Sequence, residues 1–291
     1  MLPFAAVASV FYLTRAIFPA AVPLGAHTVE WMGCLLKFAC LALGGVYGLR
    51  AAARLEAANP ARSAWRWLGL GLCAFALGQA ILSFYQLALH RTPPLPSVGD
   101  APFVAGYAWM IAATVRFVRV YFASGFPMGS ARGHALLAAG AAIAFAIVGF
   151  PLLRPIATAT APLAERAINV AYPTLDFIAL VPAMLLVRIT LALRGGGVAR
   201  VWGALLLGWV FMAAGDISFA YLTSAGHDSL VPYVDLTLLL GYLFTALGTM
   251  LQLELLDAPI APGGATSAAA AQCGSGSVRP GIGSSSERHT R

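Results

Sequence analysis

Charged residues are scarce in this chain, and acidic residues are the scarcest. Charged side chains make up 10% of the 291 residues, 11 residues are acidic, and hydrophobic residues make up 60%. Soluble domains carry about 25% charged residues, and the mean hydropathy here is +0.81. A soluble globular fold is excluded, because it could not bury so much apolar surface.

Long apolar runs occupy most of the chain instead. A bilayer core about 30 Å thick needs about 20 apolar residues per helix. The sequence predicts an all-α, polytopic domain over residues 1–257, with eight transmembrane helices. The predicted spans are residues 2–22, 31–53, 65–89, 101–123, 133–153, 168–192, 199–223 and 230–253.

Basic residues are spread over short connections between the spans, so the net charge of +7 does not indicate a nucleic-acid surface. Arginines cluster after the second, fourth and sixth spans. The positive-inside rule places these connections, and therefore both termini, in the cytoplasm. We expect a multi-pass protein of the bacterial inner (plasma) membrane. The arginines are Arg50, Arg54, Arg62, Arg66, Arg116, Arg119, Arg132, Arg188, Arg194 and Arg200.

Residues with metal or nucleotide chemistry are few and scattered. The four cysteines form no Cys-x-x-Cys pair, and His90, His134 and His227 have no partner at ligand spacing. No Gly-rich phosphate loop, Gly-x-Ser-x-Gly elbow or His-Glu-x-x-His helix occurs. We assign no metal ligand and no catalytic residue, and the sequence names no cofactor.

The composition changes to Ala, Gly, Ser and Pro from Ala258 onward. Such a segment cannot bury enough apolar surface to fold, so we predict a disordered cytoplasmic tail over residues 258–291. Two interpretations stay open: the tail has no function, or it is a linker to a domain outside this chain.

A weak internal repeat relates two pairs of spans. Asp100 is followed by Gly-Tyr at the same spacing as Asp235, and Gly78-Gln79 compares with Gly215-Asp216. Spans 65–89 and 101–123 would then be a copy of spans 199–223 and 230–253 in the same orientation, as in a parallel repeat. Chance similarity between apolar helices is the alternative.

Two of the acidic residues lie near predicted helix starts. Ser97 or Asp100 can accept hydrogen bonds from the free amide groups of the first turn of span 101–123. Asp235, which follows Tyr233, can do the same one turn into the last span. Their similar settings suggest a symmetric feature of one membrane face.

Three further charged residues lie deeper. At 1.5 Å per residue, Asp176 is about 12 Å and Asp216 roughly 9 Å from the nearer helix end, and Lys37 lies at a comparable depth. Charges in hydrocarbon are costly unless they are paired. We therefore expect Lys37 to pair with Asp176 and Asp216 at one level.

This charged group has two interpretations, which stay open. It is a ligand-binding pocket near the outer face, or it is a structural ion-pair network that fixes helix packing. The candidate ligand-binding residues are Lys37, Asp100, Tyr172, Asp176, Asp216, Tyr233 and Asp235.

Short motifs in residues 64–250 resemble a bacterial membrane sensory region. They are Pro96-Ser-Val-Gly-Asp100, Tyr172-Pro-Thr-Leu-Asp176 and Gly215-Asp216. The order and placement are similar to those of the multi-helix region that precedes GGDEF diguanylate cyclase domains, EAL phosphodiesterase domains and some histidine kinases. Two positions depart from that family's pattern, because Gly99 stands where Ala is usual and Gln79 where Gly-Asp is expected. The resemblance implies sensing, with no output domain in this chain.

We therefore expect a sensor or ligand-binding module that signals to a separate cytoplasmic protein, rather than an enzyme. The lipid bilayer and a second copy of the chain are the other expected partners, and nucleic acid is not. The alternatives are an intramembrane lipid hydrolase, in which Asp176 and Asp216 divide acid and base roles or bind a metal, and a small-solute transporter.

Overall fold

The computed structural model describes residues 25–124, 130–191, 196–227 and 230–258, together with positions 7, 10 and 14. That part of the chain is helical and contains no strand, which confirms the predicted all-α class. The elements are α1 (Ala26–Arg54), α2 (Pro60–Leu87), α3 (Asp100–Ala123), α4 (Ala131–Ala144), a π-helical turn (Phe145–Gly149), α5 (Phe150–Thr158), α6 (Leu163–Leu191), α7 (Gly197–Ser224) and α8 (Val231–Asp257).

Six of these helices, α1, α2, α3, α6, α7 and α8, are long and apolar enough to cross a membrane. They correspond to the predicted spans 31–53, 65–89, 101–123, 168–192, 199–223 and 230–253. Large apolar side chains remain exposed on their outer faces, among them Leu35, Leu77, Val104, Ile178 and Leu207. Surface of this kind suits lipid rather than water, so the chain is a multi-pass membrane protein.

The predicted span 133–153 has a different form. It is covered by α4, the π-helical turn and α5, which follow one another from Ala131 to Thr158. The π-helical turn divides this run into short pieces. The apolar part of the run, Arg132–Ile147, is shorter than the six long helices. The predicted span 2–22 and the tail beyond residue 258 lie outside the described residues, apart from the three isolated positions.

Local sequence determines where two of the helices begin. The Asn59 side chain accepts a hydrogen bond from the Ala61 amide at 2.9 Å, and Pro60 opens α2 without losing a helical hydrogen bond. The Ser130 hydroxyl accepts from the Gly133 amide at 3.2 Å and caps α4.

The six long helices form a closed ring. Each packs against its neighbours in the order α1, α2, α3, α6, α7, α8 and back to α1, while α4 and α5 lie against α6 and α7. The ring therefore consists of two groups, α1–α3 and α6–α8. They meet at two seams, one between α1 and α8 and one between α3 and α6.

Glycines allow several of the helices to cross closely. A methyl group at Gly71 of α2 would lie 3.0 Å from the Gly106 carbonyl oxygen of α3. At Gly208 of α7 it would lie 3.0 Å from the Gly241 carbonyl oxygen of α8. Any larger side chain at these positions would push the backbones apart. Both groups thus contain such a crossing, between α2 and α3 in the first and between α7 and α8 in the second. The first group has a further one between α1 and α2, where a methyl group at Gly69 would lie 3.0 Å from the Gly45 carbonyl oxygen.

Candidate functional site

Asp100 connects the start of α3 to α6. The Tyr172 hydroxyl of α6 donates a hydrogen bond to Asp100 Oδ1, and the Ser97 amide donates to Oδ2. The Gly99 amide donates to the Ser97 hydroxyl at 3.2 Å. These bonds shape the loop before the helix. The expected cap on the first-turn amides of α3 is therefore wrong. Gly99 occupies the N-cap position, and it has no side chain that could accept hydrogen bonds from those amides.

Lys37 of α1 pairs with Asp235 of α8. Lys37 Nζ lies 3.0 Å from Asp235 Oδ1. The lysine is 6% exposed, whereas the Asp235 side chain is 40% exposed. The expected pairing of Lys37 with Asp176 and Asp216 is therefore wrong. The position of a residue along its helix does not identify the neighbouring helix, and α1 lies beside α8 rather than beside α6 or α7.

Asp235 also does not cap α8. That helix begins at Val231, and no side chain among the described residues caps its first amides. Asp235 lies one turn further along, on the side of α8 that faces α1. The ion pair with Lys37 replaces the expected capping role.

Asp176 and Asp216 meet at the hydroxyl of Tyr107. The Tyr107 oxygen lies 2.7 Å from Asp176 Oδ1 and 2.8 Å from Asp216 Oδ2. Tyr107 comes from α3, Asp176 from α6 and Asp216 from α7, so one hydroxyl connects three helices. The two carboxyl groups also lie within hydrogen-bonding reach of each other. We call Tyr107, Asp176 and Asp216 the carboxyl triad.

Asp176 is the most deeply placed acidic residue of the site. It is 0% exposed, and α6 begins at Leu163, so Asp176 lies roughly 20 Å along its helix rather than the expected 12 Å. No described residue donates a hydrogen bond to Asp176 Oδ2, which is buried. Asp216 retains some accessible surface.

Aromatic rings fix the position of the Tyr107 hydroxyl. The ring of Tyr107, itself 1% exposed, lies 4.9 Å from that of Phe75, 6.0 Å from that of Tyr172 and 6.5 Å from that of Trp209, between centroids. These rings come from α2, α6 and α7. The hydroxyl is therefore held rigidly between the two carboxyl groups.

The remaining candidate, Tyr233, does not join this arrangement. It lies at the start of α8 and is 54% exposed. Cavities also lie elsewhere: one of about 500 Å³ is lined by α5 and α6 residues including Arg166 and Thr174, and one of about 210 Å³ lies beside Arg200 and Glu254. None of the seven candidates lines either of them.

Tyr107 belongs to this candidate site but is not among the residues that the sequence predicts. It was noted in the repeat, beside Gly106, but it was not among the candidates. Its apolar surroundings in the sequence give no sign that its hydroxyl is shared. The available signal was its correspondence to Tyr242 behind an acidic residue at the same spacing.

Metal-binding potential is low in the part of the chain that the structure covers. Those residues contain no group of three or more His, Cys, Asp or Glu side chains that could hold an ion. Two carboxyl groups and a phenol favour the exchange of protons, because each can carry a hydrogen to the next.

Comparison of the chain with protein-family models, with curated proteins and with solved structures finds no match. We call Lys37, Asp100, Tyr107, Tyr172, Asp176, Asp216 and Asp235, which the contacts above connect, the polar layer. The fold and the site define the protein as a multi-pass membrane protein, all-helical in its described residues, with this polar layer between the helices.

Proposed function

We propose that this chain is an integral-membrane sensory module, in which a ligand bound at the polar layer changes how the two helix groups pack. A separate cytoplasmic partner, or a second copy of the chain, would receive the change. No catalytic step is required of it.

The observation that carries this proposal is where the polar contacts lie. Lys37–Asp235 crosses the seam between α1 and α8, and Tyr172–Asp100 crosses the seam between α3 and α6. The carboxyl triad also crosses the second seam. Binding at this layer would therefore act on both contacts between the two groups, and packed interfaces respond to such changes by switching between discrete arrangements.

The resemblance to sensory regions ahead of GGDEF, EAL and histidine kinase domains supports the same proposal. Its three motifs contribute Asp100, Tyr172, Asp176 and Asp216, and all four lie in the polar layer. Motifs that are far apart in sequence but meet in space are expected of a shared site.

We propose the parallel repeat as the architecture of this module, extended to three helices per group. The same sequence interval separates Lys37 from Tyr172 as separates Asp100 from Asp235. Lys37–Asp235 and Tyr172–Asp100 would then be equivalent contacts at the two seams. The glycine crossings in the two groups support this correspondence.

We further propose that residues 131–158 and 2–22 bring the number of spans to eight. The run from Ala131 to Thr158 would extend roughly 40 Å at 1.5 Å per residue, which is enough to cross a bilayer. This crossing gives α1 and α6 the same orientation, as a parallel repeat requires. Arginine placement supports cytoplasmic termini and an inner-membrane location.

A small-solute transporter is the second candidate. Pro173 and Pro182 lie inside α6, on either side of Asp176, and each removes one helical hydrogen-bond donor. Local weakening beside a buried carboxyl group is common in transport sites. Counterflow of solute into proteoliposomes, lost in Asp176→Asn, would favour transport. A lipid hydrolase is weaker, because neither described cavity reaches the carboxyl triad.

Thermal unfolding of the detergent-purified full chain tests the sensory proposal. The panel comprises metal ions, lipids, small metabolites and buffers of different pH, applied to the native protein, Asp216→Asn and Asp257→Asn. A ligand at about 100 times its Kd adds roughly 2.7 kcal/mol to stability. Asp257, in an exposed pair with Arg54, provides the matched control.

At least one condition should stabilise the native protein and Asp257→Asn but not Asp216→Asn. If every condition acts equally on all three proteins, the polar layer is structural and binds nothing.

A further inference from the structure

The Tyr107 hydroxyl makes more contacts than its own hydrogen can supply. A phenol carries one hydrogen, so it can donate to only one of the two carboxyl oxygens at 2.7 and 2.8 Å. The other contact is a hydrogen bond only if that carboxyl group itself carries a proton and donates to the tyrosine oxygen. Two ionised carboxylates would leave one contact repulsive.

Among the described residues, no ion pair brings a positive charge to the carboxyl triad. The ion pairs among the described residues are His27–Glu30, Lys37–Asp235 and Arg54–Asp257. Lys37, the only lysine of the chain, is thus already paired at 3.0 Å. Two carboxylates held together without a counter-ion repel each other, and one proton removes that repulsion.

Asp176 Oδ2 supplies the second, independent observation. This oxygen is buried, and no described residue donates a hydrogen bond to it. A buried acceptor without a donor costs free energy, whereas a protonated Oδ2 becomes a donor. Through its other oxygen, Oδ1, Asp176 meets the Asp216 carboxyl group at the Tyr107 hydroxyl.

We propose that Asp176 and Asp216 bind one exchangeable proton between them, and that this proton is the ligand of the sensory module. The inference rests on the function proposed above and names its ligand. Tyr107 is the positioning residue that holds both carboxyl groups in contact with α3. Asp216 retains some accessible surface, whereas Asp176 has none.

Other titratable groups surround Asp176 and Asp216, and they do not replace the proposed proton. Tyr107 of α3 contacts both carboxyl groups, Tyr242 of α8 lies close enough to interact electrostatically with both, and Tyr172 of α6 lies close enough to interact with Asp216. Asp100 and Asp235 lie one contact further away, where they bond to Tyr172 and Lys37. The nearby positive charge in this set, Lys37, is held by Asp235, so a proton is the remaining source of charge compensation.

Loss of the proton has a defined structural consequence. The O–H bond of the carboxylic acid breaks, the proton passes to water, and both carboxylates become negative. Repulsion then separates α6 from α7, and the Tyr107 hydroxyl keeps one of its two partners. The seam between α3 and α6 or the contact between α3 and α7 is thereby released.

Infrared titration of the full chain in detergent tests the proposal. The native protein and Asp257→Asn should show a carboxylic-acid band that disappears between mildly acidic and mildly alkaline buffer, and Asp176→Asn and Asp216→Asn should lack it. In parallel, the melting temperature should fall on alkalisation in the native protein but not in Asp176→Asn, because an asparagine amide donates in place of the proton.

Two results overturn the proposal. One is a band and a melting profile that are the same in the native protein and in both variants. The other is an alkaline destabilisation that sodium or potassium ions reverse, since the occupant would then be a metal cation. If Asp176→Asn does not fold, Tyr107→Phe replaces it as the test, because this variant keeps both carboxyl groups. Its carboxylic-acid band should persist, with the midpoint of the titration moved to a different pH. An unmoved midpoint contradicts the role of Tyr107.

Failure of this proposal is distinguishable from failure of the sensory function. A compound from the ligand panel that stabilises only proteins with Asp216, without any pH response, removes the proton as ligand and leaves the module intact. No response to either the panel or pH removes both.

Discussion

Lys37 and Asp235 illustrate how unequal the two members of one ion pair can be. The lysine is buried, whereas 40% of the Asp235 side chain is exposed. Substituting Asp235 leaves the buried Lys37 cation without its partner, whereas substituting Lys37 leaves an anion that solvent can still reach. The two single substitutions should therefore differ in their effects.

We expect Asp235→Asn to destabilise the protein more than Lys37→Met. The loss should be at the low end of the roughly 3–5 kcal/mol that breaking a buried pair costs, because Asp235 is partly exposed. The double variant should recover most of the loss. Thermal unfolding in detergent measures all three.

The exposed pair Arg54–Asp257 is the control for this comparison, because both side chains are largely exposed at 63% and 43%. Asp257→Asn should change the stability by less than about 1 kcal/mol. If the double variant of Lys37→Met and Asp235→Asn is no more stable than Asp235→Asn alone, Lys37 and Asp235 are not energetically coupled.

Tyr107 carries the next prediction at this scale. Tyr107→Phe keeps the ring packing against Phe75 and Trp209 but removes the hydroxyl that both carboxyl groups share. We expect a loss of about 1–3 kcal/mol, the usual cost of leaving a buried polar group unsatisfied. Tyr233→Phe, at an exposed position, should be neutral. Equal melting temperatures for the two variants would contradict a role for the Tyr107 hydroxyl.

At the scale of elements, close helix crossings depend on glycine only where another backbone lies opposite. Gly208 and Gly203 lie on the same helix, α7. A methyl group at Gly208 would meet the Gly241 carbonyl oxygen and the Thr245 hydroxyl, whereas nothing lies within 4 Å of one at Gly203.

We expect Gly208→Ala to destabilise the bundle by about 1–3 kcal/mol, because overpacking must displace α8. Gly203→Ala should instead be neutral or stabilising by up to about 1 kcal/mol, since alanine is the better helix former. Chemical or thermal unfolding of the two variants makes the comparison. Similar losses at both positions would show that helix α7 does not depend on this crossing.

At the scale of the whole molecule, the run from Ala131 to Thr158 determines the topology. If it crosses the bilayer, the connection between α5 and α6 lies on the opposite side from the connection between α1 and α2. Thr160 and Ala58 are exposed residues in these two connections.

We expect a membrane-impermeant maleimide to label Thr160→Cys in intact cells and to label Ala58→Cys only after permeabilisation. The background should carry Cys273→Ser, which removes the cysteine of the tail. Labelling of both positions from the same side would show that residues 131–158 do not cross.

Several parts of the site were predictable from single residues. The apolar runs placed Asp100, Asp176 and Asp216 within long helices, and the resemblance motifs grouped them. The partner of Lys37 was not predictable, because the position of a residue along a helix gives its depth but not the neighbouring helix. Tyr107 was missed for the same reason, since its hydroxyl acquires meaning only beside two carboxyl groups.

The sequence by itself determined the class of protein. Hydropathy is a local property, and six of the eight predicted apolar runs are long helices that could cross a membrane. Only the tertiary structure decided that α1 lies beside α8 and α3 beside α6, and therefore which charges meet. Those contacts depend on the order of helices around the ring, which is set by close packing at glycine crossings and aromatic side chains rather than by the composition of any single helix.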